Sequence, residues 1–371
     1  MSNINNFISL IQLSLGNEVP IPDDINWKEL YEDAYKQAIL GICFFGLQHV
    51  RNKRPEIVIP DSIRFRWIAQ VLEIQNKNKS LNAHCLRLQD DLDREGMRSS
   101  ILKGQAISQL YGEELSSYRT PGDIDVYVDC GRERAFAYAK MKGMHNIQWD
   151  YKHLQLDIYS GIDVEMHYVP EILLNIHKNR RLQHWFNEQS EELFTNSEGL
   201  VTPSIKFNLF YILLHIYRHF LYEGVGLRQL IDYYFVLKAA NGKYREETNA
   251  VLSQFGMVRF AKGVMWIMKN VFLLDDSYLL CTPDVKEGEY IFRQIILGGN
   301  FGHHDKRLSN TPSGKIGAVC RIIKHNFHLI THYSSDVIWA PIWFIYHWFW
   351  KRSYILKNKS IINRVKYNGY V

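Results

Sequence analysis

Residues 122–128 of the chain read GDIDVYV, and this stretch decides the fold. Polar and apolar residues alternate in it, a pattern typical of a strand with one buried face. Asp123 and Asp125 therefore share one face, while the apolar residues between and after them form the other. Two carboxylates about 7 Å apart on one face repel each other unless a cation lies between them. The stretch predicts a core strand that presents two acids to a divalent metal, although a lone Asp-x-Asp is more often a solvated strand face.

A second acidic strand is predicted further along the chain. Residues 153–159 (HLQLDIY) and 162–169 (IDVEMHYV) also alternate, and the Ser-Gly link between them predicts a tight hairpin. In the later strand Asp163, Glu165 and His167 share one face. If this strand lies beside residues 122–128, Glu165 completes a site of three carboxylates. Hard oxygen ligands suit Mg²⁺, which takes further ligands from water and substrate phosphates.

The residues before the first strand resemble a phosphate-binding turn. SSILKG (99–104) is β-like and ends in Gly104, and QAISQLYG then predicts a short helix. A strand that turns into a helix at a glycine offers backbone N–H groups to a phosphate.

Helical spacing of apolar residues predicts helices on both sides of these strands. The predicted helices lie within 26–50, 64–75, 80–95, 171–187, 204–222 and 226–240. We therefore expect an α+β fold in which a small α+β unit is flanked by helical regions. The expected order is a helical N-terminal region (1–95), an α+β core (96–170), a helical C-terminal domain (171–330) and an aromatic and basic tail (331–371). Residues 298–315 are the most loop-like.

Composition and charge narrow the class of protein. The chain has 371 residues with 46% hydrophobic and 22% charged residues, which argues against a disordered or fibrous protein. The net charge of +5 is the sum of −4 before Gly302 and +9 from Gly302 onward, so we expect no sequence-specific nucleic-acid binding. Five cysteines without a Cys-x-x-Cys pair indicate neither a disulfide framework nor a thiolate zinc site. No Lys or Arg precedes Lys28, so a secretory signal is not indicated and a cytoplasmic location is expected.

The motifs together resemble those of a known superfamily. LKG (102–104), Arg119, GDIDVYV (122–128) and DVEMHY (163–168) resemble the nucleotidyltransferase superfamily of DNA polymerase beta. They are more narrowly similar to a bacterial family of uncharacterised nucleotidyltransferases. The resemblance extends into the helical stretch that contains His215, His219, Arg228 and Asp232. The superfamily usually has Gly followed by Gly or Ser at the turn, whereas Gln105 follows Gly104 here.

The resemblance implies a reaction and a set of roles. It implies a mixed sheet packed on helices, with Asp123, Asp125 and Glu165 as ligands of two Mg²⁺ ions, for which Mn²⁺ can substitute. An NMP would pass from an NTP to an acceptor hydroxyl with release of pyrophosphate, and Glu165 could also accept the proton. The residues assigned to the nucleotide are Lys103, Gly104, Gln105 and Arg119. We expect Lys103 to supply a cation to the triphosphate.

Several other polar residues have two interpretations. Arg119 is either paired with the neighbouring acids or a phosphate clamp. His215 and His219 are a satisfied helix surface or a pair that faces the site; zincin chemistry is excluded because Ile216 follows the first histidine. Arg228 and Asp232 have the spacing of a helical salt bridge; they either hold the helical domain against the catalytic sheet, which we expect, or contact the substrate. His167, on the same strand face as Glu165, is expected to lie behind the metal ligands.

The C-terminal tail also permits two interpretations. Residues 337–350 (VIWAPIWFIYHWFW) are too short to span a membrane, and a basic segment without acids follows. The helix is either packed into the core or lies on an anionic membrane, with peripheral contact through 337–366 at the inner face. The alternative functions for the whole chain are a catalytically silent nucleotide- or partner-binding protein and a toxin–antitoxin component.

Overall fold

The computed structural model describes residues 2–20, 25–145, 147–197, 199–302, 329–358 and 366–367. The helices are α1 (Ser2–Ser14), α2 (Trp27–Lys36), α3 (Leu40–Lys53), α4 (Asp61–Arg94), α5 (Gln105–Ser108), α6 (Gly112–Ser116), α7 (Gly131–Met141), α8 (Ile176–Glu188), α9 (Ile205–Tyr222), α10 (Leu227–Ala240), α11 (Arg245–Phe255), α12 (Val258–Asn270), α13 (Val285–Gly298), α14 (329–337) and α15 (Trp339–Lys357). The strands are β1 (Ser99–Ile101), β2 (Ile124–Val128), β3 (Gln148–Trp149), β4 (His153–Tyr159), β5 (Ile162–His167), β6 (Thr195–Ser197), β7 (Leu200–Thr202) and β8 (Lys366–Tyr367).

The predicted α+β fold is confirmed, with three differences in the helices. The segment expected at 26–50 is divided into α2 and α3 by residues 37–39, where Ala38 has φ +55°. The segments expected at 64–75 and 80–95 are one continuous helix, α4, of 34 residues. The helix expected from residue 171 begins only at Ile176, because the Asn175 side chain accepts hydrogen bonds from the N–H groups of His177 and Lys178 and so caps it. Most of the predicted loop 298–315, from residue 303 onward, lies outside the described residues.

The chain divides into two compact units, each built from three stretches of sequence. The first, here called the helical unit, comprises residues 1–80, 107–121 and 208–322. The second, here called the sheet unit, comprises residues 81–106, 122–207 and 323–371. The four consecutive regions expected from the sequence stay a prediction.

The helical unit is held together by apolar helices and by buried hydrogen bonds to their backbones. In α9 and α10 almost every residue is buried, which explains why their sequences are apolar on nearly all sides. The Trp67 indole donates to the Leu40 carbonyl at 2.9 Å, and the Tyr233 hydroxyl donates to the Leu209 carbonyl at the same distance. These bonds satisfy polar groups that burial would otherwise leave unpaired.

The sheet unit contains a mixed sheet with the strand order β1-β2-β5-β4-β3-β8. β2 is parallel to β5 and antiparallel to β1, and β4 is antiparallel to both β5 and β3. The β4–β5 hairpin predicted from the Ser-Gly link is therefore confirmed. β6 and β7 form a separate two-stranded sheet.

One face of the mixed sheet forms the core of the sheet unit. Its apolar side chains pack with the C-terminal part of α4 and with α7, as in the edge-to-face contact of Phe136 and Trp149, whose ring centroids are 5.4 Å apart. The strand residues of this core include Ile124, Val126, Val128, Leu154, Leu156, Val164 and Met166. Because strands alternate, the intervening polar residues lie on the other face.

The tail helix α15 packs on the sheet unit by one of its faces. Trp343 is 1% exposed, and Trp350 contacts Tyr151 with ring centroids 4.7 Å apart. The Tyr354 hydroxyl donates to Glu133 Oε1 at 2.9 Å. No helix among the described residues is long and apolar enough to cross a membrane. Residues 359–365 of the basic tail lie outside the described part of the chain.

Candidate functional site

The polar face of the sheet unit gathers the three predicted carboxylates. In the parallel pair β2–β5, Asp125 lies opposite Glu165, and Asp123 immediately precedes β2. One carboxylate oxygen from each of the three residues lies within 4.8 Å of the others, a grouping that could hold a metal ion. Asp125 is 3% exposed, whereas the Glu165 side chain is 23% exposed. The cluster thus has a buried base and an open side.

Two cationic side chains contact the buried carboxylate. The Lys103 ammonium lies 2.8 Å from Asp125 Oδ1. His167 Nε2 lies 2.9 Å from the same oxygen and 3.3 Å from Glu165 Oε2. Both cations are buried or nearly so, with side chains 15% and 0% exposed, so water screens the contacts weakly. In this structure Lys103 faces a carboxylate, and its predicted contact with a triphosphate remains a prediction.

The electrostatics differ among the three acids. Burial alone would raise the pKa of Asp125, but Lys103 and His167 hold it well below its usual value. Burial would also raise the pKa of Glu165, but its hydrogen bond to His167 and the charges of His153 and His167 together lower that pKa to about 2. Repulsion from Asp125, together with burial and Glu165, raises the pKa of Asp123 to about 6.

The two cations are stabilised in their charged forms by the same acids. Burial would lower the pKa of His167, but its hydrogen bonds to Asp125 and Glu165 raise that pKa above 6.5. Burial would also lower the pKa of Lys103, but the charges of Asp125 and of the neighbouring acids together raise it. The site therefore carries charge of both signs, and Asp123 is the acid for which repulsion and burial outweigh the attraction of Lys103.

The turn at Gly104 connects β1 to α5 next to this cluster. Gly104 has φ +57°, a left-handed conformation that glycine adopts without strain. The Leu102 N–H donates to the Asp125 carbonyl at 2.9 Å, which fixes the turn to β2. The following helix is a single α-helical turn, and the side chain of Gln105, its first residue, donates to Asn82 Oδ1.

Arg119 and Asp232 form a buried network inside the helical unit. Arg119 Nε and Nη2 donate to the two oxygens of Asp232 at 2.7 and 2.8 Å, and the Tyr111 hydroxyl donates to Asp232 Oδ1 at 2.7 Å. Arg228 Nη1 donates to the Thr120 carbonyl at 3.2 Å. The acid that pairs with Arg119 is thus Asp232 of α10, 113 residues away in the chain. Helical spacing alone would have paired Asp232 with Arg228.

His215 and His219 also lie in the helical unit, on α9. Their rings are 4.3 Å apart in an edge-to-face arrangement, and His219 Nδ1 lies 2.6 Å from Glu223 Oε2. Both side chains are largely buried. Neither histidine belongs to the two metal-compatible clusters of the described residues.

One residue of the polar sheet face was not singled out from the sequence. His153 of β4 pairs with His167 of β5, and its Nε2 lies 3.4 Å from Glu165 Oε1. His153, Glu165 and His167 form the second cluster that could hold a metal ion, and it shares Glu165 with the first. The alternation HLQLDIY was a signal for the face of His153, but its position beside Glu165 depends on the strand register.

Comparison with known proteins assigns a family to the chain. A family model described as an uncharacterised nucleotidyltransferase matches residues 23–272, which include every residue of the carboxylate cluster and of the Arg119 network. No curated protein and no solved structure matches the chain.

Proposed function

Because the chain belongs to the family of uncharacterised nucleotidyltransferases, we propose that it transfers an NMP from an NTP to an acceptor hydroxyl and releases pyrophosphate. The observation that carries this proposal is the convergence of Asp123, Asp125 and Glu165 on one face of the sheet. In the reaction the acceptor oxygen bonds to the α-phosphorus, and the bond from that phosphorus to the pyrophosphate oxygen breaks.

The donor set fits Mg²⁺, with Mn²⁺ as a substitute. All three predicted ligands are carboxylate oxygens, which hard divalent cations prefer. The raised pKa of Asp123 supports the same assignment, since a bound cation would relieve its repulsion from Asp125. Divalent ions bound here would supply positive charge to the phosphates and lower the pKa of the acceptor hydroxyl.

The surrounding residues have roles that follow from their contacts. His167 donates to Asp125 and lies beside Glu165, so it orients both carboxylates. We expect Lys103 to balance Asp125 before substrate binds and to turn toward the triphosphate when a metal replaces it. A pKa near 2 makes Glu165 a weak proton acceptor, so we assign it to metal ligation in preference to base catalysis.

Labelled nucleotides test the proposal directly. Each of the four NTPs, labelled with ³²P at either the α- or the γ-phosphate, is incubated with protein, Mg²⁺ and cell extract. We expect label to enter an acceptor from the α-position only, because nucleotidyl transfer leaves the γ-phosphate in pyrophosphate. Transfer of γ-label would instead indicate a kinase.

Two carboxylate variants separate catalysis from binding. Asp123→Asn and Asp125→Asn should each lower α-label transfer by at least about 100-fold, at several kcal/mol of charge stabilisation per metal ligand. Asp163→Asn is the matched control, because Asp163 is an exposed acid of the same strand as Glu165. Transfer that survives Asp123→Asn unchanged would contradict the assignment of Asp123 to catalysis, whereas a wild-type protein that binds NTP without transferring label would favour the silent binding protein.

A further inference from the structure

The tail helix α15 is apolar on the face that it buries and also on the opposite face. Ala340, Trp343 and His347 are buried, and the rings of Trp343 and His347 contact that of Tyr151. On the other side, large apolar residues are between 41% and 63% exposed, namely Ile342, Ile345, Trp348, Phe349 and Leu356. A surface helix normally carries polar residues on its outward side. Nothing in the described part of the chain covers this side, which we call the outer face of α15.

The exposed apolar residues of the outer face are neighbours and not isolated residues. Single exposed apolar residues are ordinary, whereas contiguous apolar patches of several hundred Å² mark interaction sites. The residues of the outer face recur at intervals of three, four and seven, so they are neighbours along one side of the helix. The 19 residues of α15 would extend for about 28 Å at 1.5 Å per residue.

The charged residues of α15 are all positive. The helix contains Lys351, Arg352 and Lys357 and no acid, and the sequence that follows it adds three more cations and no acid. The guanidinium of Arg352 lies over the Trp348 ring, 4.7 Å from its centroid. The nearest acid before this segment, Asp336, is 4% exposed and accepts a hydrogen bond from Lys178 at 2.9 Å, so it does not offset the tail.

We propose that the outer face of α15 binds to the surface of an anionic lipid bilayer. The helix would lie in the plane of the membrane, with its exposed aromatic and aliphatic side chains at the boundary between headgroups and acyl chains. Lys351, Arg352 and Lys357 would contact lipid phosphates, and Trp348 would occupy the interfacial level that tryptophan favours. This surface is separate from the carboxylate cluster, so the proposal does not rest on the proposed function.

Two protein segments could also cover the outer face: a second copy of the chain, and residues 303–328 of the same chain. Charge favours a lipid bilayer over both. A second copy that used the same face would bring Lys351, Arg352 and Lys357 into a contact in which neither α15 helix offers an acid to pair with them. Residues 303–328 contain five cations and one acid, so their charge also opposes a position beside the basic tail. An anionic bilayer complements both the apolar and the basic character.

Vesicle sedimentation of the full chain tests the proposal. The protein is spun with vesicles of phosphatidylcholine alone or mixed with phosphatidylglycerol, at low and high salt. We expect binding to the mixed vesicles that weakens as salt screens the charges, and far weaker binding to the neutral ones. Trp348 emission should shift to the blue on binding, and a Trp348→Phe protein should lose most of that shift.

Variants distinguish the apolar and the electrostatic contributions to vesicle binding. Ile345→Ser combined with Phe349→Ser should weaken binding at least tenfold, and Arg352→Gln with Lys357→Gln should weaken it about fivefold for each cation removed. Phe65→Ser is the control, because Phe65 is an equally exposed aromatic residue on another helix, at 62%. All the altered side chains are exposed, and each variant is to be checked for folding by circular dichroism.

Four results would overturn the proposal. The first is equal binding to neutral and anionic vesicles, and the second is equal binding by the Ile345→Ser/Phe349→Ser protein and the wild type. The third is a dimer that ignores vesicles and that the same double substitution converts to monomers. The fourth is a monomer that binds neither type of vesicle.

Discussion

Replacement of Lys103 by methionine tests the electrostatic account of the carboxylate cluster. The substitution keeps most of the side-chain volume and removes an ammonium 2.8 Å from Asp125 Oδ1. At an effective dielectric constant of about 20, the attraction at that distance is at most about 6 kcal/mol. Breaking a buried ion pair typically costs about 3–5 kcal/mol. Because His167 keeps its hydrogen bond to the same oxygen, we expect a loss of about 3 kcal/mol in the free energy of unfolding.

The same substitution should have the opposite effect on metal binding. In the wild type a metal must displace the Lys103 ammonium from Asp125, whereas in Lys103→Met the metal simply supplies the missing charge. We therefore expect Mn²⁺ affinity to rise at least tenfold and saturating Mn²⁺ to restore the lost stability. Affinity for an NTP should fall, because we assign Lys103 to the triphosphate.

Three measurements and one control decide the outcome. Urea unfolding with EDTA and with Mn²⁺ gives the stabilities, electron paramagnetic resonance gives Mn²⁺ affinity, and equilibrium dialysis gives NTP affinity. Lys142→Met is the control, because Lys142 Nζ lies 3.6 Å from Asp91 in a half-exposed pair of the same unit. Such pairs contribute about 0–1 kcal/mol. Lys103→Met protein with the stability and Mn²⁺ affinity of the Lys142→Met protein would refute the reasoning.

Other perturbations have outcomes that are equally specific. The pKa of Asp123, about 6, predicts that Mn²⁺ affinity falls as the pH drops below 6, since the proton must leave before the metal binds. Paramagnetic resonance measures this affinity, and an affinity that is independent of pH from 5 to 8 would contradict the prediction. His153→Gln should weaken Zn²⁺ binding about tenfold by calorimetry and leave Mg²⁺ unchanged, because imidazole suits zinc while Mg²⁺ uses oxygen ligands; an equal loss for both ions would show that His153 acts on Glu165 alone. Asp232→Asn should cost about 3–5 kcal/mol in urea unfolding because it leaves Arg119 buried without its counter-charge, and Arg119→Met with Asp232→Leu should cost less than that; additive losses would argue against the pair.

The strands and carboxylates were predictable because their signals are local. Alternation in residues 122–128 fixed which side chains share a face, and parallel pairing then placed Asp125 beside Glu165. The Ser-Gly link likewise identified the β4–β5 hairpin. The shared faces and the hairpin depend on a few neighbouring residues, so one sequence was sufficient for them, whereas the pairing of β2 with β5 was only a condition of the prediction.

The face of His153 follows from the alternation of β4, but its partner depends on a one-residue irregularity. Leu154 and Leu156 lie in the core, so His153 lies on the polar face. Tyr159 pairs with Ile162, and a regular hairpin continued from that pair would place His153 opposite Tyr168. The register shifts between Leu156 and Tyr159, so His153 instead lies opposite His167 and beside Glu165, which the sequence alone did not predict.

Long-range pairing limited the rest of the prediction in the same way. Helical spacing suggested Arg228 as the partner of Asp232, but the carboxylate accepts from Arg119 and Tyr111 in a separate stretch of the chain. The continuity of α4 across residues 76–79 was also missed, since a polar run in a helix resembles a linker when its packing is unknown. Such features depend on which segments meet in space.

The position of α15 affects how the protein is synthesised and how it can be shortened. The family match ends at residue 272, yet α15 covers Trp149 and Tyr151, with Trp350 and Tyr354 against their rings. A fragment that stops at the family boundary would therefore leave the indole of a core tryptophan facing water. During translation, about 200 residues separate the Trp149 ring from Trp350, which packs on it. Until α15 has been synthesised, these apolar rings of the sheet unit are exposed and favour aggregation.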